Sequence, residues 1–461
     1  MAHIVVCGGS VVGLSLAMML AGDGHRVTVL ERDAATPPAD PWDGWARPGV
    51  AQFHQPHTLL ARSRHILDDE FPGMVDRLVA AGCVWVDWLA VMPPLIRDRA
   101  PRPGDDRFRF VTGRRPVVEA VLAGAAAETD GVEVRRGVTA AGLMATGAGA
   151  GAPHITGVRA SDGKELAADL VVDAMGRRSR LGDWLVAAGG APPYVESEDC
   201  GFVYYTRYFR GPELPAFVAP PVSEMGTFSL LTLPGDNGTW SVTMWTAADD
   251  TALRGLRDAE RFTAVIRACP AHAHWLEGEP ITGVLATAGV VDRYRRMVVD
   301  GAPVATGIVA AGDAWACTNP SAGRGITVGL IHAQCVRDVV RAHIGDPDAL
   351  ARAMDEATEA RVTPYYRDQI AADRARFAQM AALRRGEDPP APDSRAAAIA
   401  GAVMRDPDVF RAMLESVMCL ALPGEVFARP EFNAKVDAVG RTRLWKIPGP
   451  NRSALLELAG G

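Results

Sequence analysis

The chain has 461 residues, 48% hydrophobic and 22% charged, with a formal net charge of −7. That length buries a large core and suits two or three interwoven domains, and the composition is that of an ordinary globular protein. The acidic balance argues against nucleic-acid and membrane-surface partners, no apolar run reaches the roughly eighteen residues of a transmembrane segment, and no signal-peptide pattern opens the chain.

Ile4, Val5 and Val6 form a short apolar run of the kind that makes a buried parallel strand. The turn Gly8-Gly9-Ser10-Val11-Val12-Gly13 follows, then an apolar helix expected over 11–21 and a second buried strand ending at Glu31. This is a βαβ unit with dinucleotide spacing, in which Ser10 stands at the middle glycine position. Gly8 permits the tight turn and Gly13 lets the helix approach the strand. The helix N-terminus offers N–H groups and a positive dipole end to a pyrophosphate. Glu31, eighteen residues beyond Gly13, is placed for ribose hydroxyls. Serine is the smallest substitution that keeps a side chain, so phosphates can still approach, with the Ser10 hydroxyl available as a donor.

A loop rich in proline and tryptophan (Trp42, Trp45, Arg47) precedes helices expected over 59–70 and 75–81 and strands over 84–88 and 108–112. A helix starts near Arg115, with Pro116 in its first turn where no N–H is needed. A strand is expected over 132–136, a Gly/Ala-rich hairpin tip over 146–153 and strands over 155–160 and 165–170, and the chain re-enters the core at Leu170–Asp173. From about 183 to 283, period-two alternation with aromatics over 201–209, 227–233 and 240–245 reads as antiparallel strands. A buried strand over 304–311 ends in Gly312-Asp313, a helix follows over 325–341, and the remainder from 347 reads as helical, broken at 386–393. The segment from Lys446 onward carries no clear signal. Seven scattered cysteines without a C-x-x-C pair point to reduced thiols in the cytoplasm and away from a metal or disulfide framework.

Two further corners repeat the logic of the first. Asp173, at the end of an apolar strand, is followed by Gly176. Asp313 is followed by Pro320, Gly323 and Gly325 at the start of an apolar helix. An acid at the carboxyl end of a parallel strand sits where open α/β sheets bind ligands. The first fingerprint alone permits NAD, NADP or FAD. Glu31 disfavours a 2′-phosphate, and acids at two distant corners suit an extended flavin dinucleotide.

Over about residues 1–340 these ordered motifs resemble the flavoprotein monooxygenases of the p-hydroxybenzoate hydroxylase type. The resemblance implies an α/β fold: a Rossmann-like FAD-binding domain of glutathione-reductase type, an inserted antiparallel β-sheet substrate domain and a C-terminal helical segment. The expected bounds are 1–82, 107–182 and 285–345 for the FAD-binding domain, 83–106 and 183–284 for the substrate domain, and 346–461 for the helical region. Cofactor contacts are expected at Gly8, Ser10, Val12, Gly13, Glu31, Arg32, Val138, Asp173, Gly176, Gly312, Asp313 and Arg324. Arg115 matches the family's arginine near the flavin, Arg47 the one associated with FAD and incoming nicotinamide, and Pro320, Gly323 and Gly325 the loop along the isoalloxazine ring. Residues 47–57, 173–185 and 204–207 look like the branch that holds squalene epoxidase and the bacterial polyether epoxidases. The chain departs from the family at Ser10, at Ala174, which replaces the glycine after the acid, and at Ala316, where a histidine is common.

In such enzymes the reduced flavin and dioxygen form a C4a-(hydro)peroxide that delivers one oxygen atom by epoxidation or hydroxylation. The substrate here is expected to be an apolar or aromatic small molecule of natural-product metabolism. Electrons come from NAD(P)H, directly or through a flavin reductase, since no second dinucleotide fingerprint is present. No side-chain nucleophile is required; Arg47, His54, His57, Tyr204, Tyr205 and Arg207 are the candidates to tune the site. Phe202, Tyr204, Phe228, Trp240, Met244 and Trp245 suit the wall of a substrate pocket. The alternatives are a flavin-dependent reductase or dehydrogenase of the geranylgeranyl-reductase kind and, less favoured, a flavin-dependent halogenase. The halogenase reading is weakened because no lysine precedes Lys164.

Overall fold

The computed structural model describes residues 1–147, 151–440 and 446–460. In chain order, the strands that build the site are β1 (His3–Cys7), β2 (Arg26–Glu31), β3 (Val132–Arg136) and β4 (Leu170–Asp173). They continue with β5 (Phe202–Arg210), β6 (Phe228–Pro234), β7 (Thr239–Ala247), β8 (Val291–Arg296) and β9 (Ile308–Ala310). The helices are α1 (Val11–Gly22), α2 (Arg115–Glu128), α3 (Ala259–Arg267), α4 (Gly325–His343), α5 (Thr363–Arg384) and α6 (Arg452–Ala459).

A parallel sheet in the order β9-β4-β1-β2-β3 forms the centre. Its inner strands are buried and mostly apolar because both faces are covered, whereas the edge strand β3 is half exposed and carries charges. α1 packs against both α2 and α4. The expected buried strand over 304–311 is shorter, Ile308–Ala310, because Gly307 turns to φ 71° just before it. The strands on either side of the Gly/Ala tract are antiparallel neighbours; residues 148–150 of the expected hairpin tip lie outside the described residues.

β5, β6 and β7 form the middle of a six-stranded antiparallel sheet, which roofs the carboxyl edge of the parallel sheet. Each of the nine residues of β7 is buried, so both faces of this sheet are covered. On the far face Phe262, Val265 and Ile266 of α3 and Leu455 of α6 pack on Trp240, Val242 and Met244. The segment beyond Lys446 thus closes the far side of the roof. On the near face lie Tyr204, Trp245 and, from α5, Met380. Among the described residues no helix is long and apolar enough to cross a membrane.

Candidate active site

Three corners, each a parallel strand turning into a loop or helix, meet at a cavity of about 430 Å3. At the first, Gly8 adopts φ 116°, and a Cβ there would overlap the carbonyl oxygen of Ala174. A Cβ at Gly13 would overlap the carbonyl oxygen of Gly8. Both positions therefore exclude a side chain, and residues 8–13 line the cavity. Ser10 is the N-cap of α1 but makes no side-chain cap bond, leaving the first-turn N–H groups free for a ligand.

The Ser10 hydroxyl is engaged elsewhere. It donates to Glu119 Oε1 at 2.6 Å and accepts from Arg115 Nη2 at 3.0 Å. Behind it lies a buried ion cluster. Arg47 donates to Glu31 at 2.7 Å, to Asp33 at 3.0 Å and to Glu119 at 2.9 Å, with its side chain 1% exposed. Arg115 Nε donates to Glu119 Oε1 at 2.6 Å. Glu31 also accepts from the N–H groups of Gly9 (3.0 Å) and Asp33 (2.8 Å), tying strand β2 to the first turn. Buried ions of this density hold only because each is paired on several sides.

Arg115 Nη1 reaches His57 Nε2 at 3.0 Å, and His57 Nδ1 reaches the Gln55 carbonyl at 2.8 Å. A carbonyl only accepts, so Nδ1 carries the proton and Nε2 receives the Arg115 bond. Burial, reinforced by the Arg115 charge, lowers the His57 pKa to about 3. His57 is therefore neutral and has both nitrogens occupied.

The two later acids differ. Asp173 does not face the cavity: it accepts from Met175 N at 2.9 Å and from the Ser179 hydroxyl, closing its own turn. Its expected cofactor contact is corrected to an internal turn acceptor, while Ala174, Met175 and Gly176 (φ 72°) present themselves to the cavity. Asp313 does line the cavity, and among the described residues nothing donates a hydrogen bond to its carboxylate. Burial raises its pKa, against the pull of Arg115, Arg177 and Arg293.

Arg293 and Arg295, on β8, clamp these corners together. Arg293 donates to the carbonyls of Arg177 (2.8 Å) and Asp313 (3.2 Å), and Arg295 to those of Ser179 (3.0 Å) and Ala314 (2.9 Å). Gly312 N donates to His332 Nδ1 at 3.2 Å, and burial lowers the His332 pKa to about 3.

The loop that opens α4 is held from the C-terminal region. Asn319 takes the Tyr204 hydroxyl's hydrogen bond on its side-chain oxygen and donates to Asp373 of α5 at 3.0 Å. Ser321 also donates to Asp373 at 2.9 Å, and Arg324 turns away from the main cavity to Asp368 at 2.7 Å. Arg376 of α5 donates to the Phe228 carbonyl of the roof at 2.6 Å. One helix thus braces both loop and roof.

Of the expected cofactor contacts, Gly8, Ser10, Val12, Gly13, Glu31, Arg32, Arg47, Arg115, Gly176, Asp313, Pro320, Gly323 and Gly325 line the main cavity. Val138 does not; its N–H donates to the Glu31 carbonyl at 3.1 Å, and the next two residues reach the cavity instead. Gly312 packs against Val12 and, with Arg324, borders a small separate cavity. Among the pocket aromatics only Tyr204 and Trp245 reach the main cavity. Phe228, Trp240 and Met244 are in the opposite phase of the alternation and fill the far-face core. Phe202 shares the near face but packs edge-on against Phe377. Tyr205 and Arg207 also point to the far side, Tyr205 into the core and Arg207 to Thr263 (3.0 Å) and the Thr282 carbonyl (3.2 Å). His54 stacks edge-on against Trp42 and Phe53.

No family model matches the chain. Protein Rv3254 of Mycobacterium tuberculosis is 30% identical over 371 residues, which cover 74% of this chain and 73% of that protein. The chain belongs to the family of Rv3254. Among solved structures, PqsL of Pseudomonas aeruginosa, a probable FAD-dependent monooxygenase, matches with a TM-score of 0.62 at 16% identity, over 83% of this chain and 98% of PqsL. The p-nitrophenol 4-monooxygenase PnpA of Pseudomonas putida matches with a TM-score of 0.62 at 17% identity, over 91% of this chain and 98% of PnpA. The fold of the Rv3254-family chain is thus that of the flavoprotein monooxygenases of p-hydroxybenzoate hydroxylase type.

Proposed function

We propose that the chain is an FAD-dependent monooxygenase that inserts one atom of dioxygen, by epoxidation or hydroxylation, into an apolar or aromatic small molecule. The observation that carries this reading is the convergence of the three corners on one cavity that continues beneath the antiparallel roof. The residues present fit FAD: two glycines where no Cβ fits, a helix start with free N–H groups, and in the cavity wall the Asp313 carboxylate, which has no donor among the described residues. The motifs at 47–57, 173–185 and 204–207 support an epoxidase-like branch within that activity.

When bound, FAD supplies the electron transfer and oxygen activation that no side chain here offers. The chain's own residues bind, orient and exclude water. The N–H groups of α1 would hold the pyrophosphate, Glu31 has acceptor capacity left for ribose hydroxyls, and Asp313 would take a ribityl hydroxyl. The loop at 317–323 and the roof residues Tyr204 and Trp245, which line the cavity, would enclose the reacting end. NAD(P)H is the electron source in this reading, acting directly or through a flavin reductase. Because Arg47 is enclosed by three carboxylates, an arriving nicotinamide dinucleotide would meet Arg32, Arg177 and Arg178, whose side chains have no hydrogen-bond partner among the described residues. All seven cysteines are free, which suits the reducing cytoplasm.

The test is to load the purified full chain with FAD, reduce it with NAD(P)H or dithionite, and supply labelled dioxygen with candidate substrates. A bound flavin spectrum that bleaches on reduction, and product carrying oxygen-18 from dioxygen, are expected. Protein that stays colourless overturns the reading. Substrate reduced without label would point to a reductase, and halide-dependent product to a halogenase.

A further inference from the structure

Resting on the monooxygenase reading, we infer that the substrate is an uncharged molecule bearing a hydrogen-bond acceptor, which the side-chain amide of Gln55 holds beside the ring of Trp245. The first support is the distribution of charge. On the roof side the cavity is lined by Gln55, Tyr204, Thr243, Trp245, Thr287 and Asn319, all neutral. The charged residues on the wall, from Glu31 and Arg32 to Arg177 and Asp313, stand on the dinucleotide corners or beside them. A carboxylate entering under the roof would lose its hydration and find no counter-ion there, which is costly.

The second support is the lack of a base. The His57 Nε2 lone pair is occupied by Arg115 and its Nδ1–H by the Gln55 carbonyl. The Tyr204 hydroxyl donates to Asn319, and burial pushes its pKa well up. Among the described cavity residues under the roof, none is placed to take a phenol's proton, so the molecule reacts in its un-ionised form.

The third support is a directional chain of hydrogen bonds. Thr206 and Thr243 are direct cross-strand partners on the cavity face of the roof, with Tyr204 and Trp245 the next pair along. The Thr206 hydroxyl donates to Gln55 Oε1 at 3.2 Å. Its oxygen is then free to accept, so the Thr243 hydroxyl, 2.9 Å away, is the donor to it. The carbonyl end of the Gln55 amide is thereby anchored. The two N–H groups on Nε2 have no acceptor among the described residues, while Gln55 itself lines the cavity. A donor held this way at an apolar wall selects an acceptor, because a ligand without one leaves it unpaired. Thr206 is a positioning residue and Gln55 the residue that touches substrate.

Three probes of one shape test this on the FAD-loaded full chain: naphthalene, 2-acetylnaphthalene and 2-naphthoate, each titrated by the flavin visible spectrum and by equilibrium dialysis. The ketone is expected to bind about tenfold more tightly than naphthalene, and the carboxylate at least about tenfold more weakly than the ketone. Gln55→Leu is expected to remove the ketone's advantage while leaving naphthalene within about threefold. Thr206→Val should shrink the advantage and Thr206→Ser restore it. Equal or tighter binding of the carboxylate, an advantage that survives Gln55→Leu, or no measurable binding of any probe would overturn the inference. Flavin content is measured in the same samples. A chain that takes no FAD defeats the monooxygenase reading, while dialysis of wild type against Gln55→Leu still reads the pocket.

Discussion

The floor and the roof of the cavity are built on opposite principles. The floor is charge-dense: Arg47 and Arg115 are neutralised by Glu31, Asp33 and Glu119, groups drawn from distant parts of the chain and buried together. The roof residues that line the cavity are neutral, and their order comes from strand register, which sets Thr206 against Thr243 and Tyr204 against Trp245. A floor of this kind is specified by single residues, each of which leaves a buried charge behind if removed. A roof of this kind is specified by phase, and a side chain matters according to the face it is on.

The sharpest way to break the floor is Glu119→Ala. Glu119 is fully buried and accepts from Ser10, Arg47 and Arg115, so its loss strands the Arg115 guanidinium and takes one of the three carboxylates from Arg47. A loss of about 3–5 kcal/mol in unfolding free energy is expected in urea titration, together with loss of FAD binding. A loss below about 1 kcal/mol would show that the cluster does not behave as one unit. On the roof the matching change is Met244→Ala, on the far face. It should cost about 2–4 kcal/mol by leaving a cavity in the core, yet leave probe binding within about twofold. A large change in probe binding with little loss of stability would mean that the faces have been assigned the wrong way round.

Acid acts on the floor through histidine. His332, beneath the third corner, is lowered from 6.5 to about 3 by burial. Above pH 6.5 it is neutral in both folded and unfolded chains and contributes no pH dependence. Below that value the unfolded chain takes up a proton that the folded chain refuses until about pH 3. Stability should therefore fall with pH across that window, by about 1.4 kcal/mol per unit for this group. His57 adds a second proton in the same direction. His332→Gln, which keeps an acceptor for Gly312 N–H, should lower the slope by about one proton in unfolding measured from pH 6.5 to 4.5. An unchanged slope would mean that His332 titrates normally.

The contrast also explains which parts were legible in sequence. β1, β2 and β4 are short, mostly apolar runs ended by Cys7, Glu31 and Asp173, and Gly8 and Gly13 fall where no Cβ fits, so the floor's backbone is readable from spacing. Its wiring was less so. Glu119, four residues after Arg115 on a helix, carried a local signal, and the alternating Arg293 and Arg295 on β8 another, but Asp33 and His332 have partners that only the fold brings near. On the roof, both phases of β7 are buried and each carries a tryptophan. Alternation therefore marks a strand without marking its inward face, so Trp240 and Met244 read in sequence like Trp245. Asp173 is ambiguous in sequence for a different reason: an acid at a strand end can serve its own turn as readily as a ligand.

The smallest effect is expected at Ser10, where floor and ligand meet. If its hydroxyl served a phosphate, Ser10→Ala would leave the FAD-free protein as stable as before and weaken FAD binding by about tenfold. The structure gives that hydroxyl to Glu119 and Arg115 instead. Removing it costs one charge-assisted bond at each end, yet Arg115 Nε still holds Glu119 Oε1 and Arg47 still holds Oε2, so no charge is stranded. The FAD-free protein should lose about 1 kcal/mol in urea titration, and FAD affinity should stay within about threefold. Stability measured without flavin and affinity measured with it move in opposite proportion under the two roles, so the pair of measurements assigns the hydroxyl to the floor's ion cluster or to the phosphate.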